Sequence, residues 1–415
     1  MAVPSLRFAP EFQVRVGGQA APAALRASIA TVTYQTSLDG ADRVELVLVN
    51  ENLRWLDHPL LAIDQELVLS IGYAPDPLDQ VFVGEIVGHQ ATFPSGGAPT
   101  LTVVAQDRRQ WLQQGTKARW FAVPVSCRGN WPIPDAAVAR MVSAERGLVP
   151  IVDPVGAALS FLISGAEIAL YQNKPDAMQK IIRKQVSESD FDFLRRIAHE
   201  NGWEVLIDHD APLGGRKLRF FSLAEHLSPE VTLKYGHSLI EFTPRITTVG
   251  QVAGVSARFW RPEIKTDFTV TVAWDWERRS LDVSVSAGFG TPGGGAGRDQ
   301  SIMLVNEPVT DLTAPRVILS KLLARLNQRL TGSGSAVGDP RIRAGRVLRL
   351  EGVGEEFGGL YRVTSATHSI DSGGYRTTFE VRKEIWFATV PLLAQGAVRV
   401  RFPDQPFAAP GAAHP

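Results

Sequence analysis

Few residues in this chain of 415 are arranged to do chemistry. Asp208-His209-Asp210 brackets an imidazole with two carboxylates, a set that can hold a cation at a surface and that equally suits a polar hairpin turn. Glu355-Glu356 is an acidic pair within a glycine-rich loop. A glycosidase needs two carboxylates across one cleft, and nothing in the spacing supplies a cleft. Residues 288–293 read GFGTPG and satisfy the GxGxxG pattern, but more glycine follows instead of a helix, so no helix N-terminus waits for a pyrophosphate. Walker A, GxSxG and HExxH patterns are absent. The histidines are scattered, and His89 and His368 fall at matching places in an internal repeat, which favours a structural hydrogen bond at a strand end. Cys127 is the single cysteine, excluding an internal disulfide or a cysteine-rich zinc site, and reads as an inert buried thiol. No catalytic residue, cofactor or metal ligand is expected.

The elements that carry these residues are those of an ordinary globular chain. Apolar residues make up 44% and charged residues 21%, enough for several cores, and a length prior gives about three domains. Lys plus Arg equals Asp plus Glu, so the chain lacks the basic excess of a nucleic-acid or anionic-membrane binder. A neutral chain is a poor colloid and suits a subunit that lives in an assembly. Residues 1–12 have no apolar signal core, and the uncharged run between Asp153 and Glu167 is too short to span a bilayer. Assembly in a cytoplasm is the expectation.

Most of the chain reads as strands, with an α+β middle. Val44, Leu46 and Leu48 alternate with their neighbours, and 67–71, 81–87 and 101–105 follow between Pro/Gly turns, as in an antiparallel barrel or sandwich over residues 1–120. Residues 121–235 change character. Asp135 opens a helix carrying Val138 and Val142, and Pro175-Asp176 opens another. In SESDFDFLRRIAHENGW, Ser189 and Asp192 have capping-box spacing, Phe191, Leu194, Ile197 and Ala198 form a core stripe, and Asn201-Gly202 supplies the stop. Asp190, Asp192, Arg195, Arg196 and Glu200 then read as a solvated face, or as one side of an intersubunit ion pair. Residues 203–207 and 217–221 form a hairpin. Strands return over 236–390, broken by a glycine-rich loop at 291–299 and a helix from about Pro315 that Gly332-Ser333-Gly334-Ser335 would end. Residues 391–415 form a proline-rich C-terminal tail.

Two segments share one pattern: LVLSIG, VFVGEIVGH and PTLTVVA in the first, VLRLEG, GGLYRVTSATH and YRTTFEV in the second. At a constant offset Gly72 falls on Gly352, Asp64-Gln65-Glu66 on Ala344-Gly345-Arg346, and His89 within one position of His368. The repeat implies two related β-barrels flanking the α+β domain. Three copies of such a chain make a ring of near-sixfold symmetry.

SDFDFLRRIAHENGW resembles the central signature of phage late control protein D and of VgrG proteins, baseplate hubs of contractile tails and injection machines. Residues 338–381 are similar to the last hub domain of that family, and 12–107 to the first, so the resemblance spans about 12–390. It implies a homotrimer joining a hexameric tail-tube protein to a spike protein among other baseplate proteins, with no enzymatic activity. The protein would then end in a virion or injection particle. Residues 396–403 look like the first strand of the OB-fold that follows in VgrG proteins, which makes Arg399, Arg401 and Phe402 candidate spike contacts and the spike a separate chain. Two other readings stay open: a tail-tip peptidoglycan hydrolase with an acidic pair in the middle domain, and a carbohydrate-binding β protein using Trp203, Trp260, Trp274 and Trp276 as stacking platforms.

Overall fold

The computed structural model describes residues 9–125, 129–173, 175–210, 213–222, 228–247, 252–261, 266–275, 280–287, 301–305, 327–384 and 398–401. Cys127, the loop at 291–299, the helix expected near Pro315, Trp276 and Phe402 lie outside them. Contacts divide the chain into two units: one of residues 1–199, 203–245 and 330–383, the other of 200–202, 246–329 and 384–415.

The first unit opens with β1 (Ala9–Val16), β2 (Gln19–Ala20), α1 (Ala23–Ser28), β3 (Ile29–Ser37), β4 (Arg43–Val49), β5 (Glu66–Ala74), β6 (Asp79–Thr92) and β7 (Thr100–Gln106). Strict alternation builds it. Val44, Leu46 and Leu48 of β4 and Leu101, Val103 and Ala105 of β7 are buried while their neighbours are not. α2 (Arg109–Gln113) leads into the α+β part: β8 (Lys117–Val125), β9 (Gly129–Pro132), α3 (Asp135–Glu145), β10 (Val149–Val152), α4 (Pro154–Tyr171), α5 (Pro175–Ile181), β11 (Arg183–Glu188), α6 (Asp190–Glu200), β12 (Trp203–Asp208) and β13 (Lys217–Ser222). β14 (Val231–Lys234) and β15 (Leu239–Ile246) complete this stretch.

The second unit holds β16 (Val252–Arg261), β17 (Thr266–Asp275), β18 (Ser280–Ala287) and β19 (Ser301–Val305). The chain then returns to the first unit with β20 (Leu330–Val337), β21 (Val347–Glu351), α7 (Gly354–Phe357), β22 (Gly359–Asp371) and β23 (Gly374–Arg382). β24 (Val398–Arg401) belongs to the second unit, where it runs parallel to β18 in the order β19-β16-β17-β18-β24.

The chain is mainly β, as its alternation requires. In the first unit the strands follow one path, β15-β20-β23-β22-β3-β4-β7-β6-β5-β1-β2, with β21 on β22 and β14 on β21. The repeated segments are both antiparallel meanders, β5-β6-β7 and β21-β22-β23. They do not stand apart as separate sheets. β22 pairs with β3 from Ser365↔Ser37 to Ile370↔Val32, and β4 pairs with β7, so β3 and β4 join the two groups into one path and cover an edge of each. The α+β part carries two three-stranded sheets, β10-β13-β12 and β11-β8-β9, around a core with Val138, Phe193, Leu194, Ile197 and Phe220.

Three local readings need correction. Gly332-Ser333-Gly334-Ser335 does not end a helix: it lies within β20, paired to β23 from Gly332↔Val381 to Ser335↔Thr378. Its small residues are there for close approach, because a Cβ on Gly332 would meet the Phe242 ring at 2.7 Å and one on Gly334 the Phe379 ring at 2.8 Å. Asp135 sits in the first turn of α3 rather than at its cap, and its carboxylate takes the Arg183 guanidinium at 2.7 and 2.8 Å. Asp190 is no solvated helix residue; it is fully buried. The remaining signals of α6 are realised as read. The Asp192 N–H donates to Ser189 Oγ at 3.0 Å, the Ser189 hydroxyl donates to the Asp192 carboxylate at 2.7 Å, and Gly202 takes φ +69°.

Candidate functional site

A buried ionic network joins four stretches of the first unit. The turn after β3 supplies Asp42, the end of β7 and start of α2 supply Asp107 and Arg109, and the end of β12 supplies His209 and Asp210. The segment before β21 supplies Arg343 and Arg346. Arg109 is at its centre, 0% exposed. Its Nε donates to Asp107 Oδ2 at 2.8 Å, one terminal nitrogen to Asp42 Oδ1 at 2.5 Å and the other to the Ser37 carbonyl at 3.0 Å. Asp107 also accepts from the backbone N–H groups of Arg109, at 2.7 Å, and Asp42, at 2.8 Å. Tyr34 Oη donates to Asp42 Oδ2 at 3.1 Å.

His209 binds this centre to the hairpin β12–β13. The Val83 N–H donates to its Nδ1 at 3.1 Å, which leaves the proton on Nε2 to donate to Asp42 Oδ2 at 3.0 Å. Gln80 donates to the His209 carbonyl at 2.6 Å. Burial alone would raise the Asp42 carboxyl; Arg109 first, then the hydrogen bond and charge of His209, outweigh it and hold the group below the usual carboxylate range. Asp107 and Asp42 likewise keep Arg109 charged against its burial.

Asp210 extends the network outward. It takes Arg343 at 3.0 Å and Arg346 at 2.9 Å, and Arg346 also reaches Glu230 at 2.5 Å. A cavity of about 40 Å3 lies among Tyr34, Asp42, His209, Arg219, Arg343 and Arg346. The buried Arg343 Nε–H has no protein acceptor, and the cavity has room for ordered water. Behind Tyr34, His368 stacks at 5.4 Å. Its Nε2 donates to the Ile342 carbonyl at 2.9 Å, so Nδ1 accepts from the Tyr375 hydroxyl at 2.8 Å. Burial lowers the His368 imidazole to about 4.

Asp42, Asp107 and His209 offer three ligand atoms within 4.8 Å of one another. The donor set does not fit a cation. Arg109 already pairs with both carboxylates, and the His209 nitrogen that faces Asp42 carries a proton. The arrangement can hold three chain stretches in register; it offers no free base and no open nucleophile.

A second network surrounds Asp190 at the start of α6. Lys117 at 3.1 Å, Arg119 at 2.7 Å, Arg146 at 2.7 Å and Gln185 at 3.1 Å all reach its carboxylate. Burial raises this group too, and the hydrogen bonds from Gln185, Arg146 and Lys117 with the Arg119 charge bring it below the ordinary value.

The structure separates the other sequence candidates. His209 is not in an exposed turn: it is 3% exposed and lies inside the network, because Asp42 and Val83 give both ring nitrogens partners. His368 makes the expected structural hydrogen bond, whereas His89 is exposed on β6. Glu355 and Glu356 are exposed on α7. Trp203 is buried. Arg399 and Arg401 are on β24, in register with Asp282 and Ser284. Arg109 and Asp42 went unread in the sequence. Their signal was the run Asp107-Arg108-Arg109 directly after an apolar strand, a place where charge is expensive unless paired.

Solved structures share this fold. A 43 kDa tail protein of the prophage MuSo2 from Shewanella oneidensis is 14% identical, with 90% of this chain and 98% of that one covered at a TM-score of 0.57. A tail protein from Neisseria meningitidis is 12% identical over 94% of this chain and all of its own, at 0.59. A component of the Escherichia coli type VI secretion system is 12% identical over 89% and 76%, at 0.50. The chain therefore has the fold of these tail proteins and of a type VI secretion component. A family model, the Alg8 N-terminal domain, matches residues 172–372, just under half of the chain. No curated protein matches. No helix among the described residues is long and apolar enough to cross a membrane.

Proposed function

We propose that this chain is a structural baseplate hub of a contractile phage tail or injection system, working as a homotrimer between a tail-tube protein and a spike protein. The observation that carries the reading is the fold shared with two tail proteins, one of them of a prophage, over nearly their whole length. Two features of the chain agree with it. The repeated meanders β5-β6-β7 and β21-β22-β23 give each copy two similar strand groups, which three copies would repeat six times around an axis. The charged centres Asp42–Asp107–Arg109 and Asp190 are closed by ion pairs, which suits a structural part. A hub of this kind would turn over no substrate and hold no cofactor, and Arg399, Arg401 and Phe402 would be its candidate contacts to the spike. The domain division that goes with this reading is 1–120, 121–235, 236–390 and 391–415.

Native mass spectrometry of the purified chain, alone and with its tube and spike proteins, tests it. A trimer that captures the tube hexamer is expected; a monomer under all those conditions contradicts it. Release of soluble fragments from peptidoglycan, lost on replacing one carboxylate, would move the assignment to a tail-tip hydrolase.

A further inference from the structure

Helix α4 buries polar side chains and exposes apolar ones among its described residues. Its buried residues include Ser160, Ser164 and Glu167, at helical spacing, and Ser160 Oγ accepts from the Ala136 N–H at 3.2 Å. Its outer side carries Ala158, Phe161, Leu162, Gly165 and Ala169. Phe161 is 48% and Leu162 71% exposed, and the single charged residue of the helix, Glu167, points inward. Adjacent exposed side chains as large as Phe161 and Leu162 mark a face for another surface to cover.

The same unit has a second apolar face. In the sheet β11-β8-β9, Trp120 pairs with Lys184 and Ala118 with Val186, so these four share one side. The opposite side is packed, with Phe121 stacked 5.1 Å from Phe193 of α6. Trp120 is 60% and Val186 66% exposed. The one cation of the face, Lys184, lies 4.5 Å over the Trp120 ring.

We propose that the outer face of α4 in one copy docks on the outer face of β8–β11 in the next, closing copies head to tail into a ring. This rests on the trimer reading above. The occupant is a second copy because the chain carries both halves of a helix-on-sheet layer, each apolar and nearly uncharged. A membrane surface suits a helix with cations beside its apolar stripe, and α4 has none. Two different patches on one molecule form a heterologous contact, which closes into a ring when its rotation is about 120° and otherwise runs on as a filament. Phe161, Leu162, Trp120 and Val186 still expose roughly 400 Å2 of apolar surface, about a quarter of the roughly 1,600 Å2 that a stable interface buries, so the flanking residues must supply the rest.

The test uses two full-length variants, Leu162→Glu and Val186→Glu, examined by mass photometry with thermal melting as a check on folding. Each weakens self-association by about 30-fold or more. Mixed in equal amounts they form a one-to-one heterodimer, since one intact helix face meets one intact sheet face. A wild-type trimer with both variants still trimeric overturns this assignment and leaves the proposed function standing. A wild-type chain that stays monomeric overturns the trimer reading as well. As a second measurement independent of variant folding, Leu162→Cys with Val186→Cys in a Cys127→Ser background gives disulfide-linked trimers on oxidation; only uncrosslinked chain there overturns the contact.

Discussion

The two ionic networks of the first unit invert each other. At the β junction the cation is the innermost group: Arg109 is 1% exposed at its side chain and its partners Asp42 and Asp107 are 4% and 0% exposed. At α6 the carboxylate is innermost: Asp190 is at 0%, while Lys117, Arg119 and Arg146 are 22–30% exposed. Removing a buried partner leaves charges behind, and the cost depends on whether those charges can reach water. At α6 they can; at the junction they cannot. The junction therefore behaves as a rigid weld between chain stretches far apart in sequence, and the α6 network as a clamp that water can partly replace.

That contrast is open to attack by substitution. Arg109→Met leaves two buried carboxylates without their cation and is expected to cost about 3–5 kcal/mol in urea unfolding, or to abolish folding. If it costs no more than Asp190→Asn, the weld and the clamp are the same kind of structure. The sharper case for acid is His368. Its folded value of about 4 lies below the 6.5 of an unfolded histidine, so between these the unfolded chain binds the extra proton and stability falls as pH drops. The loss approaches about 3 kcal/mol near pH 4, and His368→Gln flattens that slope in denaturation curves taken between pH 7 and 4. Asp42 and Asp190 are depressed and act lower still: their stabilisation is present above the unfolded carboxylate value near 4 and fades as pH falls below it.

Asp190→Asn itself is expected to cost about 1–3 kcal/mol, because the amide keeps some hydrogen bonds and the released cations rehydrate. Ser189→Ala removes the α6 cap for about 1 kcal/mol. Glu355→Gln and Glu356→Gln on exposed α7 shift unfolding by no more than about 0.5 kcal/mol in urea denaturation.

Much of the local structure was legible because its cause is local. Alternation in residues 43–49 and 100–106 fixes β4 and β7, and Ser189 with the stripe from Phe191 to Ala198 and Gly202 fixes α6. The resemblance of the same helix to tail-hub proteins pointed to the fold that the tail-protein structures share. Segments whose composition serves a distant neighbour were misread. Gly332 to Ser335 look like a helix stop, yet they are small because Phe242 and Phe379 lie over them. Asp190 and His209 look like polar surface, yet their partners come from β8, α3, β6 and the turn after β3.

Period-two and helical patterns, caps and turns are written in neighbouring residues, so the order along the chain settled that this protein is mainly β with an α+β middle. Which strand edge meets which, as β3 meets β22, is another matter. So is which acid finds Arg109, and why α4 faces its serines inward. These depend on groups brought together from hundreds of residues apart, whose desolvation and pairing have no local trace. Only the tertiary structure decided them.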